Sequence, residues 1–179
     1  MGWGIVPQCL EAVCEASTKT WHLLLEDLAL THRIATPWPL PPTQAQCESI
    51  VAALARLHAA WWDDPRLGTE VGRLTTMTER ADFLQRFAGG FQKFADHVGD
   101  RLPKERRALF ERLLAQGERL IVRHDRRTNI TISHGDAHVW NVLLPRDGVS
   151  DSARWFDWDA WSIDTGANDL AYMMAMHWY

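Results

Sequence analysis

The residues best suited to chemistry lie in one segment near the end of the chain, ISHGDAHVWNVLL at 132–144. A predicted strand runs into His134, Gly135 and Asp136, Asn141 follows five residues after Asp136, and Asp157 ends a later strand. This pattern is typical of phosphoryl transfer, in which one Asp accepts or orients the proton of the attacking hydroxyl. An Asn and a second Asp then supply the hard oxygen ligands that Mg²⁺ prefers beside nucleotide phosphates.

The elements expected to precede this segment begin with a β-hairpin. Residues 8–16 and 21–28 read as two strands around the polar turn Ser17–Thr20. Four prolines within residues 31–42 indicate an extended connector and the one plausible boundary in the chain. A helix should follow from Thr43 to about residue 62, because Thr43 and Gln46 fit a capping box.

Further helices and short strands are expected after residue 77. One helix starts near Thr78, where a stripe of four phenylalanines indicates core packing and Gly89-Gly90 should weaken or kink it. Another starts at Pro103 and carries leucines as far as Ile121. Short strands are expected at 130–133, 142–144 and 154–157, and a last helix at 168–178.

Several motifs resemble one known family. H-G-D-x-H-x-x-N, then Trp155-Phe156-Asp157, then G-x-x-D-L-A from Gly166, occur in the order of the aminoglycoside phosphotransferase and choline kinase-like family. That family has the protein-kinase fold. The resemblance therefore implies an α+β protein-kinase-like large lobe, mainly helical with short β-hairpins. It also implies a remnant of the small lobe and hinge at 1–30 and a large lobe at 31–179 that is incomplete at its C-terminus.

The resemblance assigns roles to the matching residues. Asp136 would be the catalytic base, Asn141 and Asp157 the magnesium ligands, and His134, His138 and Asp169 the structural support of the catalytic loop. Glu26, Asp27 and Leu28 would be the hinge whose backbone holds the adenine of ATP. The implied cofactors are ATP and Mg²⁺, and the implied acceptor is a hydroxyl group of a small molecule. Val139-Trp140 departs from the family's more common Pro-Gly pair.

Three parts of such a kinase have no counterpart before the hairpin. A phosphate-covering loop, a strand lysine and its helix Glu are needed for full activity. The lysine nearest in position, Lys19, falls in the predicted hairpin turn. We therefore expect the chain to be a partial kinase with weak or no activity alone.

Composition narrows the classes of function. The net charge of −4 argues against nucleic-acid binding, and no apolar stretch is long enough for a membrane span. The cysteines, Cys9, Cys14 and Cys47, form no CxxC pair, so we expect a cytoplasmic protein without a disulfide framework.

Two alternatives stay open beside the small-molecule kinase. One is a catalytically inactive kinase-fold scaffold, which the missing lysine and phosphate loop favour. The other is a metallohydrolase that uses His134, Asp136, His138 and Asp157 as a metal cluster. The metallohydrolase reading leaves Asn141 and the G-x-x-D-L-A segment unexplained.

Overall fold

The computed structural model describes residues 4–124 and 127–177. The chain divides into two compact units, one made of Met1–Gly72 with Ile130–Tyr179 and the other of Arg73–Asn129. The fold class is mixed α+β with short antiparallel sheets, as expected for a kinase-like fold. The division predicted near residue 30 stays a prediction.

The first unit opens with an antiparallel hairpin. Strand β1 (Cys9–Glu15) pairs with β2 (Thr20–Leu25) around a turn that contains Lys19. Both strands are shorter than expected: β1 lies within the expected range 8–16, and β2 begins one residue before the expected range 21–28 and ends three residues before its end. Their side chains are exposed throughout, and this includes apolar ones such as Trp21 and Leu23.

Two small sheets support the candidate site. Strand β3 (His32–Ile34) pairs with β5 (Val142–Pro145), which also pairs with β6 (Arg154–Trp155). Strand β4 (Thr131–Ser133) pairs with β7 (Ser162–Asp164). β3 and β7 were not expected, and β3 lies at the start of the segment read as an extended connector.

Helix α1 (Gln44–Ala60) forms one wall of the core of this unit. Its capping box is present as predicted, with the Thr43 side chain accepting from the Gln46 amide. Ile50, Leu54 and Leu57 recur at helical spacing and are buried. They pack with residues from the candidate site segment and from the last helix, α5 (Ala167–His177). The buried cluster comprises Ile5, Ala35, Ile50, Ala53, Leu54, Leu57, Ala137, Val139, Val142, Leu144, Ala153, Trp155 and Met173. The expected last residue of α5, Trp178, lies outside the described residues.

The second unit is helical. Helix α2 (Met77–Val98) begins at a capping box of Thr76 and Glu79 and continues through Gly89-Gly90 without a break. A single helix was expected after Pro103. The structure has two helices instead, α3 (Lys104–Ala115) and α4 (Gly117–His124), and α3 ends at its C-cap residue Gln116. The phenylalanine stripe is only partly core, since Phe91 is buried while Phe83, Phe87 and Phe94 are exposed.

No helix within the described parts of the chain is both long and apolar enough to span a membrane.

Candidate active site

The segment from Asp136 to Asn141 alternates between anchored and outward-facing side chains. Ala137, Val139 and Asn141 are buried, and the first two belong to the core cluster. Asp136, His138 and Trp140 are partly exposed and lie between them. A one-turn 3₁₀ helix at Val139–Asn141 closes the segment. Two apolar anchors therefore hold the loop in a fixed shape and leave every second side chain available for chemistry.

Asp136 and Asn141 are in direct contact. The Asn141 side-chain Nδ2 donates to the backbone oxygen of Asp136 at 3.0 Å and to its carboxylate Oδ2 at 3.0 Å. Because both bonds use the amide nitrogen, the carbonyl oxygen of the same amide points away from Asp136. This orientation leaves a hard oxygen beside the carboxylate, which is the kind of atom that Mg²⁺ takes as a ligand.

His134 holds the loop from the buried side. Its Nε2 donates to the backbone oxygen of Phe156 at 2.8 Å, and its Nδ1 accepts from the backbone amide of Asp136 at 3.3 Å. Burial lowers the pKa of His134 and outweighs the bond to Phe156 and the nearby carboxylates, so the ring is held neutral. With both nitrogens engaged by the backbone, His134 positions the loop and has no nitrogen left to bind a metal.

Asp169 is the anchor beneath the turn at 133–135. It is 1% exposed and accepts four hydrogen bonds. The donors are the Ser133 hydroxyl at 2.8 Å, the His134 amide at 2.9 Å, the Gly135 amide at 2.9 Å and His58 Nε2 at 2.9 Å. Burial would raise the pKa of Asp169, but these donors outweigh it and the pKa is lowered. A buried carboxylate with all its donors satisfied fixes α1, β4 and α5 relative to one another.

Gly135 is required at this turn for two reasons. Its φ is +82°, and a Cβ at this position would collide with the backbone oxygen of Ala160. The close approach lets the amide of Gly135 reach Asp169.

The carboxylate of Asp136 is held in its charged form. The Tyr172 hydroxyl donates to it, and this bond is the largest cause of a lowered pKa. Partial burial opposes the shift, while His138 and Asn141 add to it. His138 Nε2 lies 3.4 Å from Asp136 Oδ2. An ionised carboxylate at the end of a fixed loop is suited to accept a proton from a substrate hydroxyl.

Asp157 is held near Asp136 and Asn141 by a backbone hydrogen bond of the preceding residue, Phe156. The amide of Phe156 donates to the backbone oxygen of Asn141 at 3.1 Å, so the residue after Phe156 follows directly beside the loop. Asp157 is exposed and has a φ of +61°, which is unusual outside glycine. Left-handed backbone at a polar position beside a candidate site is consistent with a functional placement.

A cavity of about 940 Å³ lies beside Asp157. Its walls are mostly apolar side chains of the hairpin, α1 and the segment after Phe156. Asp157 and Asp159 line it, and none of the described residues in its lining is basic. A polyphosphate entering at this edge would therefore need a cation to offset the two carboxylates.

The expected hinge residues follow β2 directly but lie outside the lining of this cavity. The Glu26 side chain accepts from the Gln8 amide at 2.9 Å, and the Asp27 side chain accepts from the Ala29 amide at 2.8 Å. The backbone oxygen of Leu28 accepts from Thr31 and His32. These bonds shape the turn after β2, and the nucleotide role of Glu26, Asp27 and Leu28 stays a prediction.

Sequence reasoning missed three supporting side chains: His58, Ser133 and Tyr172. His58 had a usable signal, because it sits beside Leu57 on the apolar face of α1 and a buried polar group on such a face needs a partner. Tyr172 lies one helical turn after Asp169, so both fall on the face of α5 that meets the loop. Ser133 gave no signal, because a serine at a strand end is common.

Among residues 4–124 and 127–177, no group of three or more His, Cys, Asp or Glu side chains is arranged to hold a metal ion. Both ring nitrogens of His134 are hydrogen-bonded to the backbone, so His134 is not placed as a metal ligand of the kind that the metallohydrolase alternative requires.

Comparison with curated proteins found no match. The model of the ecdysteroid kinase-like family matches residues 2–178. The family expected from the motifs is a related one: its kinase-like character is confirmed, and the exact family that we expected is not confirmed. The motif order, the anchored loop and a match over nearly the whole chain agree, and the chain belongs to the ecdysteroid kinase-like family.

Proposed function

We propose that this chain carries the acceptor-activating part of an ATP- and Mg²⁺-dependent kinase for small-molecule hydroxyl groups. Membership of the ecdysteroid kinase-like family indicates a kinase-like phosphotransferase of small molecules. The observation that carries the finer proposal is the contact between Asp136 and Asn141. It brings a charged base and an amide oxygen for a metal to one loop, with Asp157 alongside.

In this reaction the acceptor hydroxyl oxygen forms a bond to the γ-phosphorus of ATP, and the bond from that phosphorus to the ADP oxygen breaks. The hydroxyl proton passes to Asp136, and the products are a phosphate monoester and ADP. Asn141 and Asp157 would hold Mg²⁺, which neutralises charge on the phosphates when bound. His134, Gly135 and Asp169 keep the base in place. His138 lies against the Asp136 carboxylate and supports its charge.

The first test is calorimetric titration of the chain with ATP, with and without Mg²⁺. Asp157→Asn removes one proposed ligand, and Asp147→Asn is the matched control because Asp147 is an exposed carboxylate that does not line the cavity. We expect Mg²⁺-dependent binding in the parent chain and in the control, and its loss in Asp157→Asn. Equal binding by the two variants, or no Mg²⁺-dependent binding by the folded chain, would contradict the metal assignment and favour the scaffold alternative.

Phosphate transfer is tested separately with labelled ATP and a panel of hydroxylated acceptors. Asp136→Asn should keep nucleotide binding and reduce the transfer rate by roughly 10²–10⁴-fold, the usual contribution of a positioned base. Unchanged transfer by Asp136→Asn would remove Asp136 from the mechanism. A transition metal that copurifies with the chain would instead revive the hydrolase alternative.

A further inference from the structure

Helix α2 of the second unit carries a stripe of exposed phenylalanines. Phe83, Phe87 and Phe94 lie within roughly 40° of one another around the helix, because successive residues of an α-helix are about 100° apart. Phe83 is 63% exposed and Phe94 is 50% exposed, so the stripe is open to solvent at both ends. The buried residues of α2, Phe91 and Ala95, fall on the adjacent sector. The stripe therefore lies beside the core of this unit and is not part of it.

Helix α3 runs antiparallel to α2. The Arg107 side chain, near the start of α3, donates to the backbone oxygen of Ala95 near the end of α2 at 3.3 Å. Gly117, which follows the end of α3, approaches the side chain of Leu84 in the first half of α2. The two helices therefore form a pair whose outer surface is shared along most of their length.

The stripe continues from α2 onto α3. The Phe87 ring is 6.3 Å from that of Phe83 and 6.4 Å from that of Phe110, which joins the two helices. Leu109 and Leu113 are both exposed on α3, next to Phe110 and one turn after it. In an antiparallel pair this sector of α3 opens to the same side as the phenylalanine stripe. The apolar face consists of Phe83, Phe87, Phe94, Leu109, Phe110 and Leu113.

Basic side chains without partners border the apolar face. Arg86 and Lys93 lie beside the stripe on α2, and Arg106 lies on α3. All three are exposed, and none forms a hydrogen bond or an ion pair with another residue that the structure describes. The acidic residue nearest to the stripe around α2 is Glu79, and Arg73 already pairs with it at 2.6 Å. The border of the apolar face is therefore positive.

The charge of the whole second unit has the same sign. Arg73–Asn129 contains 13 Lys and Arg and 8 Asp and Glu, whereas the rest of the chain contains 6 and 15. The excess of bases is thus confined to the unit that carries the apolar face. Aromatic side chains with a basic border match an anionic bilayer, in which phosphate headgroups lie above apolar acyl chains.

A second copy of this chain matches the apolar face less well. Two copies that met through the same face would bring their basic borders together, and like charges repel. A contact between the basic unit of one copy and the acidic unit of the next would be head-to-tail, and such a contact adds further copies without a natural end unless a ring closes. The charge pattern therefore favours a lipid surface.

We propose that the apolar face docks this chain on a bilayer that contains anionic phospholipids. Its phenylalanines enter the boundary between headgroups and acyl chains, and the three bordering bases contact the headgroup phosphates. No residue of the candidate active site belongs to this face, so the inference is independent of the proposed kinase activity.

The test is sedimentation of the whole chain with vesicles of phosphatidylcholine mixed with phosphatidylserine. We expect binding that weakens as the salt concentration rises, and little binding to pure phosphatidylcholine. Replacing both Phe83→Ser and Phe94→Ser should weaken binding about tenfold or more, because two half-exposed rings no longer leave water. Val122→Ser is the matched control, since Val122 is an exposed apolar residue on α4, and it should bind within about twofold of the parent chain.

A second pair of variants tests the basic border. Replacing both Arg86→Gln and Lys93→Gln should weaken binding about 30-fold, since each base near an anionic surface contributes about fivefold. Arg119→Gln, an exposed base on α4, is the control and should change binding by less than about twofold. Circular dichroism checks that each variant keeps its helix content. If the phenylalanine variant loses helix content, the charge variants decide the outcome.

Several results would overturn the inference. They are no binding to the mixed vesicles, equal binding to both kinds of vesicle, and parent-like binding by the folded phenylalanine variant. Self-association in analytical ultracentrifugation that the phenylalanine variant abolishes, without vesicle binding, would assign the face to a second copy. Binding to soluble polyglutamate as tight as to the vesicles would show that charge alone attracts the partner.

Discussion

The shape of the loop from Asp136 to Asn141 is fixed by two buried apolar side chains, those of Ala137 and Val139. Val139-Trp140 departs from the Pro-Gly pair that the resemblance led us to expect, and its effect on the loop was not readable from the sequence. In the structure Val139 is buried in the core and Trp140 packs against it from the partly exposed side. Side-chain burial thus fixes the loop, and position 140 gains an aromatic ring beside the proposed base.

The Tyr172 hydroxyl gives a prediction about pH. Because it stabilises the charged form of Asp136, its removal should raise the pKa of that carboxyl toward the ordinary value. A base with a lowered pKa stays ionised to lower pH, so activity is lost only as the pH falls through that low value. In Tyr172→Phe the acidic limb of kcat/KM should therefore move to higher pH, by an amount measured from the pH–rate profile.

A purely structural role for Tyr172 would look different. Loss of packing would reduce kcat/KM by the same factor at every pH and leave the limb in place. Met174→Leu serves as the control, because Met174 is an exposed apolar residue on the same helix. Its profile should match that of the parent chain.

At the scale of elements, the tight turn at Gly135 connects β4 to the loop, and it gives a prediction with an internal control. Gly135→Ala should cost at least about 3 kcal/mol of unfolding free energy, because it combines a left-handed backbone with a clash against the Ala160 oxygen. Gly148 has a nearly equal φ of +84° with open space around it. Gly148→Ala should cost only about 1 kcal/mol, the price of the dihedral alone.

The measurement is urea unfolding followed by tryptophan fluorescence. All ten tryptophans lie outside Arg73–Asn129, so the signal reports on the first unit. Equal costs for the two substitutions would show that the approach of Ala160 to Gly135 contributes nothing to stability.

The elements also show what the sequence could and could not predict. The long periodic helix α1 and the hairpin were found because their patterns extend over many residues. β3 and β7 have three residues each, which is too short for an alternating pattern to be read. The break at Gln116 was missed because leucines continue at helical spacing on both sides of it.

The same limit applies to the candidate site. The sequence motifs identified Asp136, Asn141 and Asp169 as members of one site, and the structure brings these three into one hydrogen-bond network. The partners that complete the network come from far along the chain, such as His58 at 111 positions from Asp169. Long-range partners of this kind depend on tertiary packing, which a single sequence does not display.

At the scale of the whole molecule, the buried Asp169 connects several elements of the first unit by hydrogen bonds. It links α5 to α1 through His58 and to the turn after β4 through Ser133, His134 and Gly135. Replacing Asp169 with Asn keeps the size of the side chain. One carboxylate oxygen becomes an amide NH₂ group, which cannot accept the hydrogen bonds that the neighbouring groups donate. A buried donor left without a partner destabilises more than the original bond stabilised.

Asp169→Asn should therefore lower the unfolding free energy of the first unit by about 3 kcal/mol at neutral pH. The pKa of Asp169 is lowered in the folded chain, so its contribution is fully present above the unfolded pKa of about 4 and is lost as the pH falls through the folded value. The difference in unfolding free energy between the parent chain and the variant should be constant above roughly pH 5 and shrink at lower pH.

Urea unfolding followed by tryptophan fluorescence from pH 7 to pH 3 measures this difference. Asp147→Asn is the control, because Asp147 is an exposed partner of Arg33 and its replacement should change stability by less than about 1 kcal/mol. A difference that stays constant down to pH 3 would mean that the charge of Asp169 does not carry this stability, and that the turn beneath the loop from Asp136 to Asn141 is held by packing alone.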